Sequence, residues 1–379
     1  GYCPHQPPAG ENGVTDQPKL RIAARDPGAA NLLAGLLDEA GLTENYACDL
    51  WVTANVASYF DKAGLPVRIF DQPPTAIEML REWQADPADA LVTGTSHYEP
   101  FDDLLWRAAR LTGTPSLAAV DYWSNLTRRF PTVRPDSIGV IDPAQEAEAR
   151  AAGFDDVVIT GHPALSAIQP AAPRPVGETV SVLFVSERIA ADVAEGVNDS
   201  YGFDETDSFR LVMAAAERAA TGGQPVEVTV KFHPYNDPDA FRDAVGATGQ
   251  PDNVRLIWIE GRQPIAPLIE AADIVAGISS VALVEASLME RVVVSVQPGL
   301  TRENMFVPGE RGFADTLTDP EQAITRLCEL ITDPAGRQAA RDRLSGFRSS
   351  LSSPADAPIQ SWLKRVLPIP LKSAIASAS

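Results

Sequence analysis

Three stretches in the second half of the chain place chemistry-bearing residues where an apolar run stops. LFVSER (183–188) ends in Arg188, whose planar fork of donors suits the paired oxygens of a phosphate. KFHP (231–234) sets His233, one of only four histidines, directly before a proline. DIVAGISSVALVEASL (273–288) puts Ser279 and Ser280 at a helix start, where free N–H groups, hydroxyls and the helix dipole favour a dianion. Glu285 follows in that helix between apolar neighbours, and a carboxylate there needs a partner such as ribose hydroxyls. Each has a plainer reading alone, since serines commonly cap helices and a strand-end histidine is usually structural. Jointly they fall at one edge of one expected sheet, where a nucleotide would bind.

The first half offers acids and a base at equivalent positions. RDPGAAN (25–31) makes a tight turn in which Asp26 either caps a helix or faces a substrate. TSHYEPFDD (95–103) gathers Thr95, Ser96, His97 and Glu99, of which His97 or Glu99 could take a proton from a hydroxyl; Ser96 could equally cap the next helix. Asp121, Tyr122 and Trp123 end another apolar run, with Trp123 able to stack on a sugar or simply to pack, and Arg128 and Arg129 read as surface charges. The turn lacks the GxGxxG spacing of a dinucleotide fingerprint.

These positions require elements that end together. From Lys19, short apolar runs (LRIAA, CDLWVTA, PVRIF, ALVTG, PSLAAVDY, SIGVID, DVVITG) alternate with helical patterns, and a second series (VSVLFVS, PVEVTVKF, VRLIWIE, DIVAGI, VVVSV) repeats the rhythm. Uninterrupted apolar strands separated by helices predict βαβ units and parallel sheets covered on both faces. The fold class expected is α/β, with two facing Rossmann-like doubly wound domains and a cleft between their strand ends. The boundaries follow the composition: a loose leader over 1–18, a first domain over 19–165, a Pro-rich linker over 166–179, a second domain over 180–354, and a C-terminal helix and tail over 355–379, the helix completing the second series.

Bulk properties narrow the function. The formal net charge of −20 excludes a general affinity for nucleic acid or anionic lipid, yet leaves room for a local phosphate site. Cys3, Cys48 and Cys328 are too scattered for a zinc site or a disulfide framework. Asp237-Pro238-Asp239 reads as a turn and helix cap rather than a metal site, so no metal is expected. No apolar run is long enough to span a membrane, and the start lacks a signal-peptide pattern, so a cytoplasmic protein is expected.

KFHP followed by the Ser-Ser pair resembles the HP and SS motifs of bacterial sialyltransferases and polysialyltransferases, GT-B glycosyltransferases, and a similar HP element occurs in CDP-glycerol-type transferases. VEASLME resembles the glutamate-bearing GT-B helix, and VITGHPAL (158–165) is similar to an element of that fold and of UDP-N-acetylglucosamine 2-epimerases. The resemblance implies that His233, Ser279 and Ser280 contact the nucleotide phosphate and that Glu285 contacts the donor ribose. It implies no bound cofactor, but a CMP-, CDP- or UDP-linked sugar as co-substrate, and metal-independent chemistry. The sialyltransferase base motif of two acids and a glycine is absent from the first half, leaving Asp26, His97 and Glu99 as candidates. The expected function is transfer of a sugar to a hydroxyl acceptor in polysaccharide or glycoconjugate synthesis, with a glycan or small acceptor as partner and a homodimer as one option. A UDP-amino-sugar 2-epimerase and a non-catalytic two-domain binding protein are the alternatives.

Overall fold

The computed structural model describes residues 17–39, 42–96, 101–130, 132–175, 177–246, 253–261, 263–351 and 357–367. They form two compact units, Gly1–Ala164 with Ser353–Ser379, and Leu165–Ser352. Unit 1 carries β1 (Lys19–Ala24), β2 (Ala47–Thr53), β3 (Val67–Phe70), β4 (Ala90–Thr93), β5 (Ser116–Ala119), β6 (Ser137–Val140) and β7 (Val157–Ile159), all parallel, in the order β3-β2-β1-β4-β5-β6-β7. Unit 2 carries β8 (Val180–Val185), β9 (Val226–Lys231), β10 (Val254–Ile259), β11 (Ile274–Gly277), β12 (Val292–Val296) and β13 (Asp315–Leu317), also parallel, in the order β10-β9-β8-β11-β12-β13. Strand order reverses between β1 and β4, and again between β8 and β11. Those are the switch points beside which such sheets bind ligands.

Period-two alternation explains why the strands read as unbroken apolar runs. Leu20 and Ile22 of β1 enter one core with Leu33, Leu36 and Leu50, while Ala23 enters another with Trp51, Trp83, Leu91 and Trp106. In unit 2, Val182 and Phe184 pack on one face and Leu183 and Val185 on the other. Both faces of each sheet are therefore covered.

Several elements depart from the sequence reading. The expected helix after β2 is a 3-10 helix, Ala57–Ala63, ended by Gly64 at φ 62°. Helix Ala76–Ala85 was not anticipated, although Thr75 and Glu78 form a capping box at its start. Helix Pro334–Ser350 was also missed; it opens on Asp333, whose side chain accepts from the Ala335 N–H (2.9 Å). The C-terminal helix, Pro358–Val366, belongs to unit 1, not to the second series: Ile359, Trp362 and Leu363 join the core around Leu20, and Trp362 Nε1 donates to Ser137 Oγ (2.8 Å). The segment read as a linker is fastened to unit 2, where the Ala171 N–H donates to the Met289 carbonyl (2.9 Å) and Arg348 donates to the Ile168 carbonyl. Among the described residues no helix is long and apolar enough to cross a membrane.

Candidate functional site

In unit 2 the ends of β8, β9 and β11 are laced together. Asn236 Nδ2, in the turn after β9, donates to Ser186 Oγ (3.2 Å) and the Glu187 carbonyl (3.0 Å), both just past β8. The Glu187 carboxylate then reaches the start of helix Val281–Leu288. It accepts from the Ser280 N–H (2.8 Å), the Ser279 N–H (2.5 Å) and Ser279 Oγ (3.2 Å). The helix start is thus an anion site, and the chain's own glutamate fills it. Burial raises the Glu187 pKa, against the lowering effect of those hydrogen bonds. Gly277 lets the helix pack this close, since a Cβ there would lie 2.6 Å from Leu283 Cδ1 and 3.0 Å from the Val185 carbonyl oxygen.

The sequence-derived residues fare differently at this edge. Ser280 occupies the N-cap position but makes no side-chain cap bond, and its buried Oγ has no partner among the described residues. His233 is half-buried and accepts the Tyr235 N–H at Nδ1 (3.3 Å), which leaves Nε2 as the donor of the neutral ring. Burial holds its pKa below the usual histidine value; Asp192 opposes this, and Arg188 and Lys231 reinforce it. The Asn236 N–H closes the His233-Pro234 turn on the His233 carbonyl (2.9 Å). Glu285 is half-buried, with a pKa raised by burial and no hydrogen-bond or ion-pair partner for its carboxylate among the described residues. Arg188 is paired along its own helix, while its buried Nε has no partner among the described residues. Its Nη1 donates to Asp192 Oδ1 (2.6 Å) and Glu195 Oε2 (3.0 Å), so two carboxylates already balance its charge. Asp237 caps helix Pro238–Val245, accepting from the Asp239 and Ala240 N–H groups (3.0 and 3.1 Å). Among the described residues no group of three or more His, Cys, Asp or Glu side chains is placed to hold a metal ion.

Unit 1 presents a second, acid-rich edge. Asp26 follows β1, pairs with Arg25 (3.3 Å) and is 30% exposed at its side chain. His97 and Glu99 lie outside the described residues. Ser96, at the end of β4, donates its hydroxyl to Asp102 Oδ2 (2.6 Å) in the first turn of helix Phe101–Thr112. Asp102 is buried, its Oδ1 has no partner among the described residues, and burial with the nearby Asp26 charge pushes its pKa up to about 7. Asp121, after β5, accepts from Arg129 Nη1 (2.6 Å), which also donates to Thr95 Oγ1 (2.6 Å). Arg129 is therefore a buried ion-pair partner, not a surface charge. Trp123 is also buried, with Nε1 donating to Asp142 Oδ2 (2.6 Å), so it packs and does not offer a stacking face. His162, after β7, is buried, and that burial brings its pKa down to about 4 despite the Asp121 charge.

Gly28 explains itself here. A Cβ at Gly28 would lie 2.1 Å from Asp121 Oδ2, so the carboxylate rests over the first turn of helix Pro27–Glu39. Gly28→Ala is expected to push Asp121 off Arg129 and cost on the order of 3 kcal/mol, the scale for uncoupling a buried ion pair. An unchanged denaturation midpoint in that variant would refute the contact.

Sequence reasoning assigned no role to Asp102, His162 or Glu187, and read Arg129 as a surface charge. Asp102 carried a signal: the residues three and four places on, Leu105 and Trp106, lie on the buried helix face.

The order of strands in both sheets defines the GT-B fold. Solved structures of similar shape include a glycosyltransferase of kitacinnamycin (TM-score 0.59, 15% identity, 93% of this chain and 99% of that one). A UDP-N-acetylglucosamine 2-epimerase is similar at TM-score 0.59 and 16% identity, over 93% and 96% of the two chains. HepE of Anabaena, solved in complex with UDP, matches at TM-score 0.58 and 13% identity, over 92% and 100%. Likeness at such identities defines the fold alone. No protein-family model matches the chain, and no curated protein does.

Proposed function

We propose that the chain transfers a sugar from a nucleotide-sugar to a hydroxyl acceptor. The observation that carries this reading is the anion site at the start of helix Val281–Leu288, with a neutral His233 donor on the neighbouring loop and the unpartnered Glu285 carboxylate further along the helix. On this reading Ser279, Ser280 and His233 Nε2–H hold the donor phosphate in place of Glu187, and Glu285 accepts from the ribose hydroxyls. The acceptor belongs to unit 1, where Asp26, beside the buried Asp102, takes the proton of the attacking hydroxyl; His97 and Glu99 are the other candidates. As the new C1–O bond forms, the bond from C1 to the phosphate oxygen breaks and its electron pair passes to the leaving phosphate. The N–H groups and His233 stabilise that charge. The HP and Ser-Ser motifs favour a CMP, CDP or UDP donor without a metal, as in the sialyltransferase and CDP-glycerol-type enzymes they resemble, and polysaccharide or glycoconjugate synthesis in the cytoplasm as the setting.

The test is thermal denaturation with CMP, CDP, UDP and GDP. One nucleotide is expected to stabilise the chain by about 2.7 kcal/mol at a hundredfold excess over its Kd, and His233→Ala to lose that shift. No response to any of the four removes the reading.

A second reading, a UDP-amino-sugar 2-epimerase, is favoured by the acids of unit 1, Asp26, Asp102 and Asp121, since epimerisation needs groups to remove and return the C2 proton. Incubation with UDP-N-acetylglucosamine in deuterated water tests it: deuterium at C2 marks the epimerase, and its absence removes that reading.

A further inference from the structure

At the other edge of the second sheet, a cavity of ≈ 90 Å³ opens beside Thr179, Asp273 and Val292, at the starts of β8, β11 and β12. Arg174, Arg291, Arg337 and Arg341 line it, with Gln338 and one carboxylate, Asp273. Four guanidiniums around one small space run against the composition of a chain of net charge −20.

Each guanidinium is held from behind. Arg174 Nη1 donates to Ser181 Oγ (2.6 Å), and its Nε lies 3.6 Å from Asp273. Arg291 Nη2 donates to the Glu270 carbonyl (2.8 Å), and Arg341 Nε to the Glu290 carbonyl (3.0 Å). Arg337 Nη1 caps the preceding helix at the Leu330 and Ile331 carbonyls (2.8 and 2.7 Å). These bonds use a fraction of the five donors that each guanidinium carries. Asp273 is itself engaged by the Ser181 N–H (2.9 Å) and Oγ (3.1 Å), so its charge is shared. Arg291 is 4% exposed, and its buried Nε has no partner among the described residues. Burial, then the Arg341 and Arg174 charges, lower its pKa, and Asp273 and Glu270 only partly offset them. An anion in the cavity would relieve that repulsion.

We infer that this cavity binds the phosphate group of a small molecule, at a site separate from the strand ends that carry His233 and Ser279. The volume admits one phosphate-sized group, since sites that enclose a whole drug-sized ligand run to about 300–1,000 Å³. Guanidinium forks select a tetrahedral oxyanion over chloride by pairing with two oxygens at once.

The experiment is calorimetric titration and thermal denaturation of the full chain with inorganic phosphate and with glucose 6-phosphate, at ionic strength held constant with sodium chloride. Saturable binding of at least one is expected, weakened about tenfold or more in Arg341→Gln and in Arg174→Gln, each of which removes a charge-assisted pair. Both arginines are half-buried, so two independent variants report on the site. Tighter binding of the ester than of inorganic phosphate identifies a phosphorylated metabolite as the source, and the reverse a free ion. His233→Ala is expected to leave phosphate binding intact, which separates this site from the nucleotide edge. Absence of saturable binding, or binding that both arginine variants retain in full, overturns the inference.

Discussion

Asp102→Asn and His162→Gln are expected to tilt the stability of unit 1 in opposite directions between pH 7 and pH 4. Asp102 is pushed up to about 7 in the folded chain, against about 3.9 when unfolded. The folded state therefore binds the extra proton, and this contribution is complete below pH ~4 and lost as pH rises through 7. His162 is pushed down to about 4, against about 6.5 unfolded. Its contribution is complete above pH ~6.5 and lost as pH falls to 4. Each slope is about 1.4 kcal/mol per pH unit, so in the wild-type chain the two offset one another over most of the window. Asp102→Asn leaves the histidine slope, a loss of roughly 3 kcal/mol on acidification from 6.5 to 4. His162→Gln leaves the aspartate slope, a gain of roughly 4 kcal/mol from 7 to 4. Tryptophan fluorescence during chemical denaturation reports chiefly on unit 1, which holds five of the six tryptophans. Parallel slopes in the two variants would sink the assignment.

Glu187→Gln is expected to tighten nucleotide binding by about ten- to a hundredfold, because the wild-type carboxylate occupies the N–H groups proposed for the phosphate. Two like charges 4 Å apart repel by about 4 kcal/mol at an effective dielectric of 20, and movement of the side chain recovers part of that. Burial raises the Glu187 pKa, so wild-type affinity should increase as pH falls, whereas Glu187→Gln should show a shallower profile that retains only the titration of His233 and of the nucleotide. Calorimetry with the nucleotide selected by thermal denaturation measures both. Equal affinities at every pH would show that Glu187 is a fixed strut and that the phosphate, if it binds, goes elsewhere.

The regular parts of the fold were legible because burial leaves a local mark. LRIAA and DIVAG announce strands buried on both faces, VEVTV announces one whose second face is half-buried, and the glycine ending β11 with the serines after it announces a helix start. Partners are harder, because spacing does not say what a buried residue meets. Ile359, Trp362 and Leu363 form a helix stripe, yet nothing local points Trp362 at Ser137, 225 residues away. The two ion pairs of Arg188 had a readable clue, for Asp192 and Glu195 stand four and seven places on, within reach along one helix face. Arg129 had no such clue, being in the short 3-10 turn Thr127–Arg129, where no periodicity marks an inward residue. At the site, the Ser279-Ser280 helix start was foreseeable, but the carboxylate lying on it was not. Glu187 and Arg188 are adjacent, and only the backbone shows which one turns towards the helix.

The return of the last helix to unit 1 bears on how the chain is made. Ribosomes release residues in order, and most multidomain chains settle their first unit first. Here the part of the earliest-made core beside β6 and β7 waits for Trp362, which meets Ser137, to emerge. Unit 2, contiguous from Leu165 to Ser352, can close its core before then. The β6–β7 edge of the first sheet is therefore uncovered until the last helix is made. The unit begun first is the one finished last.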